Sequence, residues 1–266
     1  MDLGIRDHTA VITGGSRGIG KAVARALAAE GAHVALIARD LAAAQTSADE
    51  IARESGRTVR AYAADTGDDA AVKQAFERIA ADFGRIDILV NAAAQPGGQK
   101  PPPTFAEITQ ADLDADMHVK VMGYLRCAQA AVPHMRRQGG GRVVHISGLA
   151  ARSTGATIGS IRNVAVAALA KNMADELGPQ GIVVTCVHPG LTRTEKTAGV
   201  IAKQAAAAGV SEDEMAERMG RRNALQRWID ASDVAAVVAF LASPLAAPLH
   251  GESIGAGGGT PGVIHY

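Results

Sequence analysis

A glycine-rich turn between a strand-like segment and a helical segment constrains the fold more than any other feature of this chain. Residues 9–27 read TAVITGGSRGIGKAVARAL. Glycines let the backbone turn tightly there and approach a pyrophosphate, which then lies at the N-terminus of the following helix. The turn therefore predicts a dinucleotide-binding β–α–β unit. Its predicted cofactor contacts are Gly14, Ser16, Arg17, Gly18, Ile19 and Gly20.

The rest of the chain repeats this alternation of strand and helix. Short runs rich in Val and Ile separate segments whose apolar residues are three and four positions apart, as in 18–31 and 70–84. This pattern predicts the α/β class, a doubly wound Rossmann-type parallel sheet with helices on both faces. The predicted strands are residues 9–13, 33–38, 58–64, 86–92, 141–147 and 182–189. No linker divides residues 1–266, so one domain is expected, with a loop at 95–103.

Composition excludes several classes of function. Lys plus Arg and Asp plus Glu both total 27, so the formal net charge is zero, and no basic surface for nucleic acid or an anionic membrane is expected. Cys127 and Cys186 form no CxxC pair, which argues against a disulfide framework or a metal site. No apolar run approaches ~18 residues, the length of a membrane span, and the N-terminus lacks a signal-peptide pattern. A cytoplasmic protein that acts on a small molecule is expected.

The end of the second predicted strand indicates which nucleotide binds. A carboxylate there would bind a ribose 2′-hydroxyl, whereas an Arg accommodates a 2′-phosphate. The strand ends in Ala38 and Arg39, and Arg17 adds a second guanidinium from the glycine turn. Two guanidinium groups suit a phosphate dianion, and Asp40 would oppose it only by pointing inward. NADP is therefore favoured over NAD.

A long excursion at residues 191–224 interrupts the strand–helix rhythm. It follows the last predicted strand, and ligands of open α/β sheets bind beyond the carboxyl ends of the strands. Long loops in compact domains are usually functional. We therefore predict a substrate lid, with an inert insertion as the alternative.

With these motifs in order, the chain resembles the short-chain dehydrogenase/reductase family along nearly its whole length. Residues 13–20 resemble the cofactor turn of the family, and 89–94 its Asn-Asn-Ala-Gly segment. Residues 188–194 are similar to its Pro-Gly stretch at the nicotinamide, and 227–243 to the helix after the lid. The resemblance implies a seven-stranded sheet. The further cofactor contacts that it implies are Asp65, which resembles the acidic residue at the adenine, and Asn91, Pro189, Gly190, Thr192 and Thr194.

The resemblance weakens at the catalytic positions, which in the family hold Asn, Ser, Tyr and Lys. Counting back from ALAKNMADEL, residues 168–177, places Gly159 and Asn163 at the Tyr and Lys positions. Lys120 stands at the Asn position. Ser147 lies beside or at the Ser position, for which Gly148 is the stricter match. None of the tyrosines has a Lys four residues later; these are Tyr62, Tyr124 and Tyr266.

These departures suggest a rebuilt proton relay of Ser147, Lys120 and Asn163. We hypothesise that Lys120 supplies an ammonium near the nicotinamide ribose from the other helix, because an ammonium in an apolar site has a lowered pKa and can act as an acid or base. The alternative is that Lys120 points to solvent or fills the space of the missing pair.

Four other polar residues fall near this region by the same alignment. His145 lies between apolar residues of a predicted central strand, which is typical of a core histidine. Arg152 and Arg162 could hold an anionic substrate, although solvated positions are the simpler interpretation. His188 is a weak catalytic candidate, because the nicotinamide is expected to cover the backbone there.

Together these features favour an NADP-dependent oxidoreductase acting on a carbonyl, an alcohol or an activated double bond. The alternatives are a cofactor-binding protein without catalysis and a non-redox lyase or isomerase on the same fold. Residues 114–135 and 159–177 resemble the dimer-forming helices of the family, so a homodimer or homotetramer is expected. The C-terminal residues 251–266 could add a strand at a second interface.

Overall fold

The fold is a seven-stranded parallel sheet between two layers of helices. A computed structural model describes residues 1–94 and 102–261. The sheet has the order β3-β2-β1-β4-β5-β6-β9, and a separate pair joins β7 to β8. The strands are β1 (Thr9–Thr13), β2 (His33–Ala38), β3 (Val59–Ala63), β4 (Ile88–Asn91), β5 (Gly141–Ile146), β6 (Ile182–Pro189), β7 (Thr192–Arg193), β8 (Ile229–Asp230) and β9 (Ser253–Ala256). The predicted doubly wound sheet is confirmed.

Nine α-helices are described in residues 1–94 and 102–261. They are α1 (Gly18–Ala29), α2 (Leu41–Ser55), α3 (Asp69–Phe83), α4 (Gln110–Asp116), α5 (Gly123–Arg137), α6 (Thr157–Leu177), α7 (Thr197–Ala208), α8 (Glu212–Gly220) and α9 (Ala231–Leu241). A π-helical stretch, Met117–Met122, joins α4 to α5.

Each face of the sheet has its own apolar core. On one face, side chains of α1, α2 and α9 pack against the strands. On the other face, α3, α5 and α6 do so. Every residue of β1 and β4 is buried, as expected for central parallel strands covered on both sides.

Local sequence signals set the helix ends. Asp68 accepts hydrogen bonds from the backbone N–H groups of Ala70 and Ala71 and so caps the start of α3. Gly84 ends the same helix with a φ of 77°, a left-handed conformation that glycine adopts without strain.

The sequence-based strand bounds differ little from those observed. Residues 9–13, 33–38 and 182–189 coincide with β1, β2 and β6, whereas β4 is shorter than the predicted 86–92. The C-terminal segment does contain a strand, β9, which pairs in parallel with β6 at the sheet edge. The loop predicted at 95–103 falls largely outside the described residues, as do residues 262–266.

Residues 191–224 contain β7, α7 and α8. Their helices share a small apolar cluster of Ala205, Met215 and Met219, so the segment has its own packing. Among the helices of the described residues, none combines the length and apolar character needed to cross a membrane.

Candidate functional site

The carboxyl ends of the central strands open into a cavity of about 1140 Å³. The glycine turn lies at one end, and Lys120, Ser147 and Asn163 lie at the other. The predicted cofactor contacts that line it are Gly14, Ser16, Arg17, Gly18, Ile19, Gly20, Arg39, Asp65, Pro189, Gly190, Thr192 and Thr194. The structure therefore brings all but one of these predicted residues to a single site.

Two glycines of the turn occupy positions where a side chain would not fit. Gly14 has a φ of 68°, and a Cβ built on it would lie 2.9 Å from the Cα of Ala93. A Cβ on Gly20 would overlap the carbonyl oxygen of Gly14. The glycines thus allow the start of α1 to lie against the end of β1, which is the cradle that a dinucleotide pyrophosphate requires.

The surroundings of the two arginines fit a phosphate group. Arg17 and Arg39 are exposed and line the cavity. Asp40 does not oppose them directly, because its carboxylate accepts a 3.0 Å hydrogen bond from the N–H of Ala43 at the start of α2. Asp65 is likewise engaged by the N–H of Gly67 at 2.9 Å.

Asn91 is the predicted cofactor residue that does not line the cavity. Its side chain is completely buried at the end of β4. The amide nitrogen donates to the carbonyl oxygen of Tyr124 at 3.3 Å and lies 3.2 Å from Nδ1 of His145. This side chain lies in the layer between the sheet and α5. Its contacts there link β4 to α5 and β5, and it does not line the cavity.

Lys120 is the buried cation of the site. The π-helical stretch carries it, and only 5% of its surface is exposed. Its Nζ donates to the carbonyl oxygen of Ser147 at 2.8 Å and to Oδ1 of Asn163 at 3.0 Å. Burial lowers the pKa of Lys120 to about 7, with a smaller contribution from the charge of Arg162. The alternative in which Lys120 points to solvent is wrong.

Ser147 and Asn163 hold this ammonium and also bind each other. The Ser147 hydroxyl donates to the main-chain oxygen of Asn163 at 2.9 Å. Gly148, the stricter match to the family's Ser, leaves room for this arrangement, since a Cβ on it would lie 3.1 Å from Nδ2 of Asn163. The three predicted catalytic residues therefore form one buried, hydrogen-bonded cluster.

The two histidines near the site are buried structural residues. His145 stacks on Tyr124 with ring centroids 5.5 Å apart, and burial lowers the pKa of His145 to about 3. It is therefore neutral near pH 7. Nδ1 of His188 lies 3.1 Å from the carbonyl oxygen of Gly148.

The two arginines near the site have different partners. Nη1 of Arg162 donates to both carboxylate oxygens of Asp116 at 2.9 Å, and its side chain lines the cavity. With 16% of its side chain exposed, the solvated interpretation of Arg162 is wrong. Arg152 instead binds the carbonyl oxygen of Ser253 at 2.8 Å.

Glu195 is a residue of this site that the sequence-based prediction missed. Its carboxylate accepts hydrogen bonds from the N–H of Gly18 at 3.0 and 3.2 Å, which ties the start of the 191–224 segment to the glycine turn. The sequence could have indicated this residue, because Glu195 is acidic and directly follows the predicted cofactor contact Thr194. Lys196 and Arg222 from the same segment also line the cavity. Within the described ranges, no group of three or more His, Cys, Asp or Glu side chains could hold a metal ion.

Comparisons with known proteins agree on one family. Residues 14–260 match the family model described as Enoyl-(Acyl carrier protein) reductase. The short-chain reductase protein NovJ of Streptomyces niveus is 33% identical over 258 residues, 96% of this chain and 95% of that protein.

Two solved structures share the fold and hold a nicotinamide cofactor. The L-sorbose reductase of Gluconobacter frateurii, complexed with NADPH and L-sorbose, has a TM-score of 0.92 and 28% identity, over 99% of this chain and 100% of the other. A short chain dehydrogenase of Burkholderia cenocepacia in complex with NADP has a TM-score of 0.80 and 34% identity, over 96% of this chain and 98% of the other.

Proposed function

The chain belongs to the short-chain dehydrogenase/reductase family, and from this premise we propose that it is an NADP-dependent oxidoreductase with a non-standard proton relay. The proposed substrate carries a carbonyl, an alcohol or an activated double bond. The observation that carries the proposal is the buried Lys120 ammonium, held 2.8 Å from Ser147 and 3.0 Å from Asn163 at one end of the cofactor-sized cavity.

The residues at the other end of the cavity fit NADP. Arg17 and Arg39 would bind the 2′-phosphate. The N-terminus of α1 would bind the pyrophosphate in exchange for the Glu195 carboxylate that accepts from the N–H of Gly18. Asp65 would contact the adenine, while 189–194 would hold the nicotinamide. When bound, NADPH supplies the hydride. The names of the two structural relatives support this choice, since both contain NADP or NADPH.

We assign the family's Tyr and Lys positions to Gly159 and Asn163. These two residues lie four apart on α6 and so share one face. Neither can supply a proton near neutral pH, whereas Lys120 faces Asn163 from the π-helical stretch. In this chain the ammonium therefore comes from the π-helical stretch that faces α6.

Lys120 can then act as the general acid. Two of its three N–H donors bind Ser147 and Asn163, and these contacts fix Nζ in position. Because its pKa is about 7, it can release a proton to a substrate oxygen at neutral pH and regain one from solvent. Ser147 and Asn163 act as positioning residues, since their oxygens orient the ammonium.

We also propose that the protein is a homodimer or homotetramer. Ile161 and Val164 lie three residues apart on one face of α6, and they are 46% and 50% exposed. Two neighbouring apolar side chains on an exposed helix face favour association with a second copy, consistent with the resemblance of α5 and α6 to the family's dimer helices.

Fluorescence titration with NADPH and NADH tests the cofactor, and NADPH oxidation against ketones, quinones, imines and enones tests the activity. We expect NADPH to bind more tightly than NADH, and Arg39→Ala to remove much of that difference. Arg53→Ala, on the exposed face of α2, serves as the matched control.

Turnover that falls about 10²–10⁴-fold in Lys120→Ala, but not in the exposed control Lys171→Ala, would support the relay. Binding of NADPH without turnover of any compound would favour a non-catalytic or non-redox protein. Failure to bind either nucleotide would contradict the proposal.

A further inference from the structure

We propose that the Arg162 guanidinium is the carboxylate-binding group of the substrate end of the cavity, and that the substrate is a short oxo acid. This inference rests on the proposed function, because it names the substrate class of the same site. It adds a specificity-determining residue to the relay of Lys120, Ser147 and Asn163.

The hydrogen bonds of Arg162 leave one edge of its guanidinium without an acceptor. Asp116 is bound through Nη1. Nε is buried and has no hydrogen-bond partner among the described residues. Nε and Nη2 form the side edge of a guanidinium, and two parallel N–H groups of this kind bind a carboxylate in a bidentate manner. A buried donor without an acceptor is costly. Because Nε is buried, a ligand carboxylate would first meet Nη2, and a small rotation of the guanidinium would let it bind Nε as well.

Gly159 leaves space beside that edge. A Cβ built on Gly159 would lie 4.0 Å from Nη2 of Arg162, so a large side chain at this position would crowd the guanidinium. The residue that removes the family's Tyr thus also opens room at Arg162. Asp116, on the other side, holds the guanidinium in place with two 2.9 Å contacts.

The charges around the cavity favour an anion at this end. Lys120 and Arg162 line it on the side of α6, and Arg222 lines it from the 191–224 segment. The carboxylates that line the cavity lie beside the predicted cofactor contacts: Asp40 at the start of α2, Asp65 at Gly67, and Glu195 at the N–H of Gly18. Asp116 balances one of the three cations. The remaining positive charge would attract an anionic substrate.

Arg162 and Lys120, the proposed acid of the relay, line the same cavity. It directly precedes Asn163, whose side chain contacts Nζ of Lys120 at 3.0 Å. The charge of Arg162 also helps to lower the pKa of Lys120. A carboxylate bound to Arg162 would offset that charge, raise the pKa of Lys120 and increase its protonated fraction when substrate is bound. Substrate binding and acid catalysis would therefore be coupled.

The experiment compares acids with their methyl esters. Isothermal titration of the NADP-loaded protein with 2-oxohexanoate, 3-oxohexanoate and the two esters measures binding, and NADPH oxidation measures kcat/KM. We expect the acid to be favoured over its ester by about 10²-fold or more, as for a site built around a buried polar partner. Arg162→Met should remove this preference mainly through KM, with little change in the Kd for NADPH, because Arg162 is not among the predicted cofactor contacts.

Two further variants keep the test decisive. Asp116→Asn with Arg162→Gln removes both charges of the ion pair, so no carboxylate is left unpaired if Arg162→Met unfolds the protein. Arg53→Met, remote from the cavity, controls for the loss of a cation. Equal binding of acids and esters by the natural protein, or equal losses for both in the Arg162 variants, would overturn the proposal.

The binding measurement distinguishes failure of this proposal from failure of the proposed function. Arg162-dependent binding of an oxo acid without turnover would support the carboxylate site and contradict the oxidoreductase. Turnover of neutral ketones without any preference for acids would support the oxidoreductase and contradict the carboxylate site.

Discussion

Lys120 places a different chemical group in the site from the one its alignment position suggests. At that position the family has an amide, whereas this chain has an ammonium that is 5% exposed. A buried ammonium is tolerated only when acceptors replace water. Here the acceptors are the main-chain oxygen of Ser147 and the side-chain oxygen of Asn163. The sequence indicated Lys120 and Asn163 as a pair, but not the carbonyl, because main-chain partners leave no mark in residue identity.

Burial of Lys120 has a consequence for stability that can be measured. Its pKa in the folded protein, about 7, is below the ordinary value of 10.5, so the unfolded chain binds more protons between these pH values. The free energy of unfolding should therefore gain from this group as pH rises from about 7 towards 10.5, at up to about 1.4 kcal/mol per pH unit. Urea unfolding of the natural protein and Lys120→Met at several pH values isolates this contribution.

The difference between the unfolding free energies of the two proteins at each pH reports on Lys120, because the other groups titrate in both. Lys171→Met, which removes an exposed ammonium, should keep the pH dependence of the natural protein. If Lys120→Met and the natural protein show parallel profiles between pH 7 and 10, the pKa of Lys120 is not lowered in the folded protein.

Other residues of the site were predicted from motifs with mixed results. The glycine turn and Arg39 were found because backbone turns and strand ends have strong local signals. Asn91 retains the family's residue but faces the layer behind the sheet, since a motif gives identity and not side-chain direction. The pair of Arg162 with Asp116 joins residues 46 positions apart, and no periodicity reports such a contact.

Among the elements, the strands were predicted best. Central parallel strands are buried on both faces and appear as continuous apolar runs, which is why 33–38 and 182–189 match β2 and β6. The π-helical stretch Met117–Met122 was not predicted, because its residues have the same helical periodicity as the flanking α4 and α5. Its wider turn places Lys120 against α6, and π-helical segments are frequent at functional sites.

The contact between this stretch and α6 predicts coupling between two substitutions. Asn163→Lys alone would bring two ammoniums together, and Lys120→Asn alone would leave two amides without a cation. The double variant returns one ammonium and one amide to the 3.0 Å contact, so it should be more stable than the sum of the single effects predicts, by about 0.5–3 kcal/mol.

Urea unfolding of the four proteins measures this coupling. Lys171→Asn combined with Asn163→Lys is the matched control and should be additive, because Lys171 is exposed and pairs with Asp175. Additivity of the Lys120 and Asn163 substitutions would mean that the two side chains do not interact in solution.

For the whole molecule, the order of the motifs made the fold predictable. The same order did not predict the chemistry of the site. The glycine turn, the Pro-Gly stretch and the later helix occur in family order, and the fold follows them over nearly the whole chain. The cavity could be placed at the carboxyl ends of the strands for the same reason. The end of the cavity that holds Lys120 could not be placed. Its residues come from β5, α6, the π-helical stretch and the 191–224 segment, and their mutual distances depend on packing.

The exposed apolar face of α6 predicts how the molecule associates. Val164→Glu would place a charge among side chains that we expect to be covered by a second copy, so the sedimentation-derived mass should fall towards that of one chain. Leu225→Glu, at another exposed apolar residue, should leave the mass unchanged. A natural protein that sediments as a monomer at micromolar concentration would contradict the proposed oligomer.

The first measurement to make on the proposed Lys120 relay is the pH dependence of kcat/KM for NADPH-dependent reduction by the natural protein and Lys120→Met. In the proposed relay, reduction needs the protonated form of Lys120, whose pKa is about 7. We therefore expect kcat/KM to be constant at low pH and to fall tenfold per pH unit above about 7. In Lys120→Met we expect a slow rate without this limb. The same limb in Lys120→Met, or an undiminished rate, would show that another group donates the proton.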